Sequence, residues 1–482
     1  MALIPRRKSE GPRGRYTPKL WSVWLVAPLA LIAVAVLSFV VYQSVHDYLA
    51  HAAASQQPRK PVNANDVIKT TVTVLTLIGA VLAGIYAYRK QLLAEGDAHR
   101  ADASQLADRY TTAAEQLGHD QAAVRLAGVY ALARLADDWT EQRQVCVDVL
   151  CAYLRMPYAP DPAMNGYKEG EREVRHTIIR VIRDHLRRPD SPSSWISCDF
   201  DFTSAIFDGG DFSECHFFGK ATFGHAKFVG GTVLLDRVQF CGTVTFEGAV
   251  FNDGIVSFAQ AMFNDGLVNF REVKFLGGIV GFAHAMFNGS RVTFGKATFS
   301  GGKVSFLGAT FGSGTVDFEE ARIDGGRVSF PGAKFIGGDV TFDGMELCDG
   351  EINFGLAQFT GGIVSFNSAK FNGGTITFQR AKFNGSMVTF ELAKFSGSTV
   401  VFRRATIIDG VIIFDDSTVN SSVTFQGVEL GGGVISFRRT EFSGGEVTFA
   451  GMRLRGGTVS FDLAIFGGTR IVWDSVSRPA GV

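Results

Sequence analysis

From Phe251 to Val419 a large apolar residue returns at gaps of seven and five, alternately, through fourteen successive blocks of twelve. The stretch FNGGTITFQRAKFNGSMVTFELAKF (371–395) shows the beat, with phenylalanine at 371, 378, 383, 390 and 395. A helical stripe recurs at three and four residues and a strand at two, so neither period accounts for it. Ile323, Leu347 and Ile407 replace Phe at single beats without losing register. A pattern held in phase this long marks a repeat array in which every unit adds the same side chain to one interior.

The residues two before each beat sharpen this. Val364, Ile376, Val388 and Val400 precede the Phe that opens a five-gap, and Ala369, Ala381, Ala393 and Ala405 precede the one that closes it. Residues i and i−2 of an extended segment point the same way, so each beat inserts a large and a small apolar group inward. The Lys, Thr, Ser, Gln, Arg and Asn between them face out. Upstream the period is a strict five (Phe202, Phe207, Phe212, Phe217) and then looser to Phe246. Downstream, after one short step to Phe425, the alternation resumes through Leu430 to Phe466.

These units, among them SAIFD, GGDFS, ECHFF, RAKFN and LAKFS, resemble the pentapeptide repeat family, over about residues 197–468. The resemblance implies an all-β right-handed quadrilateral β-helix, a β-solenoid with four short sides per coil. This chain departs from the family pattern by two extra residues in every second unit, usually GG, DG or GS. A two-residue insertion must turn the chain, and glycine supplies positive φ at no steric cost. Four sides then make a coil of 5+7+5+7 residues, with a flattened 12-residue coil as the competing geometry. At about 4.8 Å per coil this predicts roughly eleven coils and a rod on the order of 55 Å. Phe should stack over Phe, Lys370 and Lys394 should share one outer face, and Lys382 should lie on the opposite one. Open rod ends would expose strand edges. The preceding helices are placed to cap the first coil, and Trp473 is the candidate lid of the last. The alternative for that end is a homodimer.

Of 42 phenylalanines only Phe39 lies before residue 200, which sets the main boundary near Trp195. Residues 1–20 are a basic cytoplasmic N-terminus, 21–43 and 70–88 two transmembrane helices, and 44–69 an external linker. A cytoplasmic helical module follows at 89–194, the β-solenoid at 195–468, and a cap or tail at 469–482. The run 21–43 carries no charge and is long enough for the hydrocarbon layer, with Trp21, Trp24 and Tyr42 at its ends. Six Arg and Lys against Glu10 in the first twenty residues place the N-terminus, and everything after Lys90, in the cytoplasm. A cleaved signal peptide is the rival reading of the first run, but its apolar stretch is too long.

Within the helical module Gly118 is read as a stop, Asp120 and Thr140 as helix caps, and 157–166 as a loop. VRHTIIRVIRDHLRR carries Arg175, Arg180, Arg183, Arg187 and Arg188, with Arg172 just before it. Either this is a solvated face or it meets anionic lipid head groups.

No nucleophile, phosphate-loop, zinc or calcium motif appears, so no catalytic, cofactor-binding or metal-binding residue is nominated and an enzyme is not expected. His176 and His185 are nine apart, without metal-pair spacing, and His216, His225 and His284 are scattered. The DG pairs at Asp253, Asp265, Asp324, Asp349 and Asp409 read as turns. Six cysteines without CxxC spacing indicate a reducing compartment. Some pentapeptide repeat proteins mimic DNA and bind topoisomerases, which needs a strongly acidic rod. Residues 199–470 hold 27 Asp and Glu against 22 Lys and Arg, and the whole chain has zero formal charge, so nucleic-acid-like chemistry is disfavoured. The expectation is a membrane-tethered cytoplasmic scaffold of a bacterial type. Its partners would be the bilayer and a protein on the solenoid faces.

Overall fold

The computed structural model describes residues 23–55, 63–264, 266–289, 291–312 and 314–473. The basic stretch 1–20, Trp21, Asp265 and the tail after Trp473 lie outside them. The chain divides into two units, residues 1–105 and 106–482. The first holds α1 (Val23–Ala54) and the first part of α2 (Ala64–Leu117), which continues into the second unit. Two segments, Ile32–Ala54 and Ala64–Gln91, are long and apolar enough to cross a membrane.

The second unit opens with the last turns of α2, then α3 (Ala122–Asp138), α4 (Arg143–Arg155) and α5 (Glu171–Leu186). The helices begin differently from expectation. Gln121 precedes α3 and Gln142 precedes α4, and neither they nor Asp120 and Thr140 make a side-chain cap. His119 Nδ1 instead accepts from the Gln121 amide at 3.0 Å, and Thr140 opens a single 3-10 turn that leads into α4. Gly118 follows the last residue of α2, as the sequence indicates.

From Phe200 onward the chain winds into a β-solenoid of about 11 turns. Every strand pairs in parallel with its counterpart one turn away. In the regular array Phe251 pairs with Phe275 and Phe263 with Phe287, 24 positions on, which rules out the 12-residue coil. The first turn, which lacks the two-residue insertions, is shorter: Phe207 pairs with Phe228, 21 positions on. A full turn carries four short strands, for example Gln358–Thr360, Ile363–Ser365, Lys370–Phe371 and Thr375–Thr377. The first two belong to one sheet and the last two to the other.

Four columns of large apolar side chains run through the interior, with the buried Val, Ile and Ala two positions earlier beside them. One runs Phe270, Phe294, Phe318, Phe342, Phe366, Phe390, Phe414 with ring centroids 4.6–4.8 Å apart. Neighbouring columns meet edge to face, as Phe330 and Phe342 do at 6.4 Å and 85°. Stacking distance and strand spacing agree because both are set by the same turn-to-turn rise. Each buried ring contributes roughly 2–3 kcal/mol of transfer free energy. The small position keeps its logic where Ala gives way to a hydroxyl: Ser417 and Thr440 both donate to the Phe414 carbonyl, at 2.6 and 2.7 Å. Their burial therefore leaves no orphan donor.

The corners are of two kinds, and only one was legible as glycine. The long gaps turn through GG or GS, with positive φ at Gly362, Gly374, Gly385 and Gly397. The five-residue gaps turn in Phe-X-X-Ala, closed by Ala369 N–H donating to the Phe366 carbonyl at 3.1 Å. Here ordinary residues take the left-handed conformation: Ser368, Arg380, Leu392 and Arg404 have φ of 56–59°. That twist aims the Ser368 amide at the Glu391 carbonyl one turn on, at 2.8 Å. Gly308, Gly332 and Gly344 occupy the same position in other turns. Leu392, 60% exposed, gains nothing from its side chain there. Leu392→Gly is expected to raise stability by about 0.5–1 kcal/mol, because it removes the left-handed penalty. An unchanged or lower denaturation midpoint would refute that account of the corner.

Candidate functional site

The arginine face of α5 has a definite destination. Arg172, Arg183 and Arg187 on it form a seam that fastens the helical module to the solenoid's first turn. The rim of that turn is acidic because IFDGGDFSE brings Asp208, Asp211 and Glu214 close together along it. Asp208 receives Arg172 Nε at 2.9 Å and the Tyr158 hydroxyl at 2.8 Å, with His176 Nε2 at 3.0 Å. Arg183 reaches Asp211 at 2.5 Å, Arg187 donates to the Ser213 carbonyl at 2.7 Å, and Arg155 from α4 pairs with Asp201. Arg180 stays within the module, on Tyr130 and Thr177. Arg175 is buried and donates to the carbonyls of Tyr153, Leu154 and Ile206.

Burial alone would raise the Asp208 carboxyl, but the hydrogen bonds from His176, Tyr158 and Arg172 outweigh it and hold it at about 2. The carboxylate therefore stays charged through the physiological range. An apolar contact completes the seam. Ile179 packs so close to Gly210 that a Cβ there would lie 2.9 Å from Ile179 Cδ1. Trp195, fully buried, stacks on His185 at 4.0 Å and donates to Asp137 at 3.2 Å. One hydrophobic cluster thus runs without a break from Ala113 in α2 to Met452. The helices cover the first coil's edge, as the sequence order suggested.

At the other end Trp473 continues the column of Phe425 and Phe449, stacked on Phe449 at 4.1 Å and 8°. It is a lid over one column. Leu463, Ile465 and Phe466 in the same turn remain 73%, 63% and 49% exposed.

On the outer faces Lys370 and Lys394 are in-register neighbours, and Lys382 lies in the other sheet between Gln358 and Thr406. Oppositely charged residues one turn apart pair along these faces: Arg237 with Glu214, Arg322 with Glu346, Arg327 with Glu351, Arg439 with Asp416. Exposed pairs of this kind contribute about 0–1 kcal/mol each and chiefly set surface pattern. Glu320 and Asp416 sit at left-handed corners, and of the DG aspartates Asp253 and Asp349 accept from the following glycine amide at 2.7 and 2.8 Å, while Asp324 pairs with Arg322.

Among the described residues no three His, Cys, Asp or Glu side chains converge as metal ligands. His176 and His185 take separate carboxylates, Asp208 and Asp137, while His225 and His284 are corner residues with positive φ. All six cysteines are free. Desolvation pushes the Cys151 thiol up to about 12 and Cys146 and Cys198 to about 11, away from the thiolate that a nucleophile requires.

Fold and surface define a capped β-solenoid whose polar chemistry lies on its outer columns and on the seam. No protein-family model, curated protein or solved structure matches this chain.

Proposed function

We propose that the chain is a membrane-tethered scaffold of the pentapeptide-repeat kind, its solenoid a right-handed, four-sided rod that docks another protein in the cytoplasm. The observation that carries the tether is the state of the two apolar segments. Their most apolar windows are 0% and 6% buried within the protein. A long apolar helix left almost wholly unburied by its own protein needs an apolar solvent. The basic residues Arg6, Arg7, Lys8, Arg13, Arg15 and Lys19 favour the cytoplasmic side for the N-terminus, and two crossings return the solenoid there. The scaffold role rests on the division of labour in the repeat. Inward residues are spent on packing, so outward columns are free to vary. The topoisomerase-binding reading is not favoured, since a column such as Lys334, Gln358, Lys382, Thr406, Glu429, Arg453 mixes signs instead of imitating a phosphate backbone.

Cys241, exposed on the solenoid, offers a direct test of sidedness. The full-length protein expressed in bacteria should stay in the membrane pellet after an alkaline carbonate wash. Cys241 should resist a membrane-impermeant maleimide in spheroplasts and react once they are lysed. Release by carbonate would overturn the tether, and labelling of intact spheroplasts would overturn the orientation.

A further inference from the structure

The five-residue-gap corners that follow Phe354, Phe378, Phe402, Phe425 and Phe449 lie one over another along an edge between the two sheets. The amides of Leu356, Arg380 and Arg404 donate to the carbonyls of Gln379, Arg403 and Gln426, one turn on, at 2.9–3.0 Å. Arg380 therefore lies in the corner next to the one that carries Arg403 and Arg404, and all three side chains are exposed. None of the three makes an ion pair or a side-chain hydrogen bond among the described residues. At other charged corners the left-handed residue meets the opposite sign one turn away, as Glu214 meets Arg237, Lys296 meets Glu320 and Asp416 meets Arg439. Arg380 and Arg404 instead set like charges in neighbouring turns. Both take the left-handed backbone, with φ of 57°, at a position that Gly427 and Gly451 fill elsewhere on the same edge. They accept both costs and gain no partner within the chain, which marks the corner as serving something other than stability.

Positive charge is concentrated here. Residues 370–404 hold six Lys and Arg against Glu391 alone, in a rod where acids otherwise outnumber bases. Exposed Lys382 stands on the strand that leaves the edge. The carboxylates on the flanking strands further on, Glu429 and Glu446, are each taken by an arginine, Arg453 at 3.3 Å and Arg470 at 3.7 Å. Past Arg403 and Arg404 the edge falls away, because Gly427, Ala450 and Gly451 carry little or no side chain. A recess of about 410 Å³ opens there, walled by the two guanidiniums and the Gln426 amide, with no carboxylate in its lining.

Unpaired guanidiniums recognise carboxylates through parallel hydrogen bonds. Single-stranded nucleic acid would also want aromatic rings to stack on, and none lines the recess. We propose that this edge is the solenoid's docking face, and that its partner presents a carboxylate-rich peptide segment along Arg380, Arg403 and Arg404. The inference rests on the scaffold reading above and names the chemistry of the partner. The segment's carboxylates meet the guanidiniums, and the exposed Gln379 and Gln426 amides meet its backbone.

The test uses the full-length protein purified in detergent and, as probe, a fluorescein-labelled peptide of alternating glutamate and serine. Its anisotropy should rise saturably, and the same peptide with glutamine for glutamate should not bind. Arg403→Glu with Arg404→Glu should weaken binding about tenfold or more. Lys370→Glu with Lys394→Glu changes the net charge equally at exposed positions away from this edge, and should weaken binding less than about twofold. Arg404→Gly supplies the residue already found at Gly427 and Gly451, so it keeps the fold and should by itself weaken binding. No saturable binding, equal loss in the two double variants, or an oligothymidylate bound as tightly as the peptide would overturn the proposal. So would a wild-type oligomer that Arg403→Glu with Arg404→Glu dissociates, because a second copy would then fill the edge. Photo-cross-linkers placed in turn at exposed Gln426, Ser368, Thr360 and Asn372, with the protein in its membrane, separate this inference from the scaffold reading. Protein adducts at Gln426 that the probe peptide displaces belong to the proposed site. Adducts only at the other three positions overturn the acidic partner and leave the scaffold standing, and adducts at none overturn both.

Discussion

Truncating Phe354 to alanine is expected to destabilise the solenoid by about 4 kcal/mol, near the top of the range for large-to-small core changes. Phe354 is fully buried, stacked between Phe330 at 4.8 Å and Phe378 at 4.9 Å, with Phe342 and Phe366 edge-on at 5.9 and 6.4 Å. In a globular core, neighbours relax into part of the cavity. Here the turn-to-turn spacing is fixed by backbone hydrogen bonds above and below, such as Phe330 N–H to the Asn353 carbonyl at 2.6 Å and Phe354 N–H to the Thr377 carbonyl at 2.7 Å. The rings at 330 and 378 cannot close the gap without breaking those bonds. The void should stay open and its full cost be felt.

Because each turn contacts only its neighbours, the loss should also be local. Hydrogen exchange should accelerate in the turns around residue 354 and little at Phe223 or Phe437. Phe371→Leu is the contrasting case. The same column already carries Ile323 and Leu347, so a smaller apolar rung is tolerated and about 1 kcal/mol or less should be lost. A Phe354→Ala protein that loses under about 1 kcal/mol, or whose exchange accelerates evenly along the rod, would refute the ladder account.

The solenoid could be read from the chain because its interior repeats with a period that no other element shares. Phe251, Phe275 and Phe299 announce their stacking by spacing alone, and the small residue two positions earlier fixes which side faces in. The first turn's shorter length was likewise visible, since Phe202 to Phe217 keep a strict five. Other features were hidden for physical reasons. Ser368, Arg380, Leu392 and Arg404 adopt positive φ, yet nothing in their side chains marks it; the stacked hydrogen bonds above them impose it. Arg172 and Arg183 look like any charged helix face until Asp208 and Asp211, from a different element, are brought opposite. A pairing across 28 to 36 positions leaves no local trace. The caps failed for a similar reason: Asp120 is suited to capping, but α3 starts at Ala122 with Gln121 in the flanking position, so the Asp120 side chain is one residue too early.

The second large effect concerns a glycine whose replacement should cost more than any ring. Gly362 turns the long gap between Phe359 and Phe366 with φ of +71°, and a Cβ built on it would lie 2.2 Å from the Gly338 carbonyl oxygen of the preceding turn. That oxygen is part of the stacked backbone and cannot swing aside as the end of a side chain could. Gly362→Val therefore combines a left-handed branched residue with a clash against main chain. The expected outcome is a loss of about 4 kcal/mol or more, read as a large fall in denaturation midpoint or failure to accumulate folded protein. Gly361, its neighbour, separates the two causes. Its φ is +72°, but the nearest atom to a built Cβ is 3.8 Å away. Gly361→Asn carries only the backbone penalty, softened by asparagine's tolerance of this conformation, and should cost about 1 kcal/mol. A small loss at 362 would mean that turns can shift relative to one another, and the rigid spacing invoked for Phe354 would fall with it. Equal losses at both positions would show that conformation, not contact between turns, is what demands glycine there. A large loss at 362 beside a small one at 361 requires that each corner be built against the corner beneath it. At Gly362 the bend and the close approach to the turn already laid fall on one residue, which is why that position of the pair is glycine.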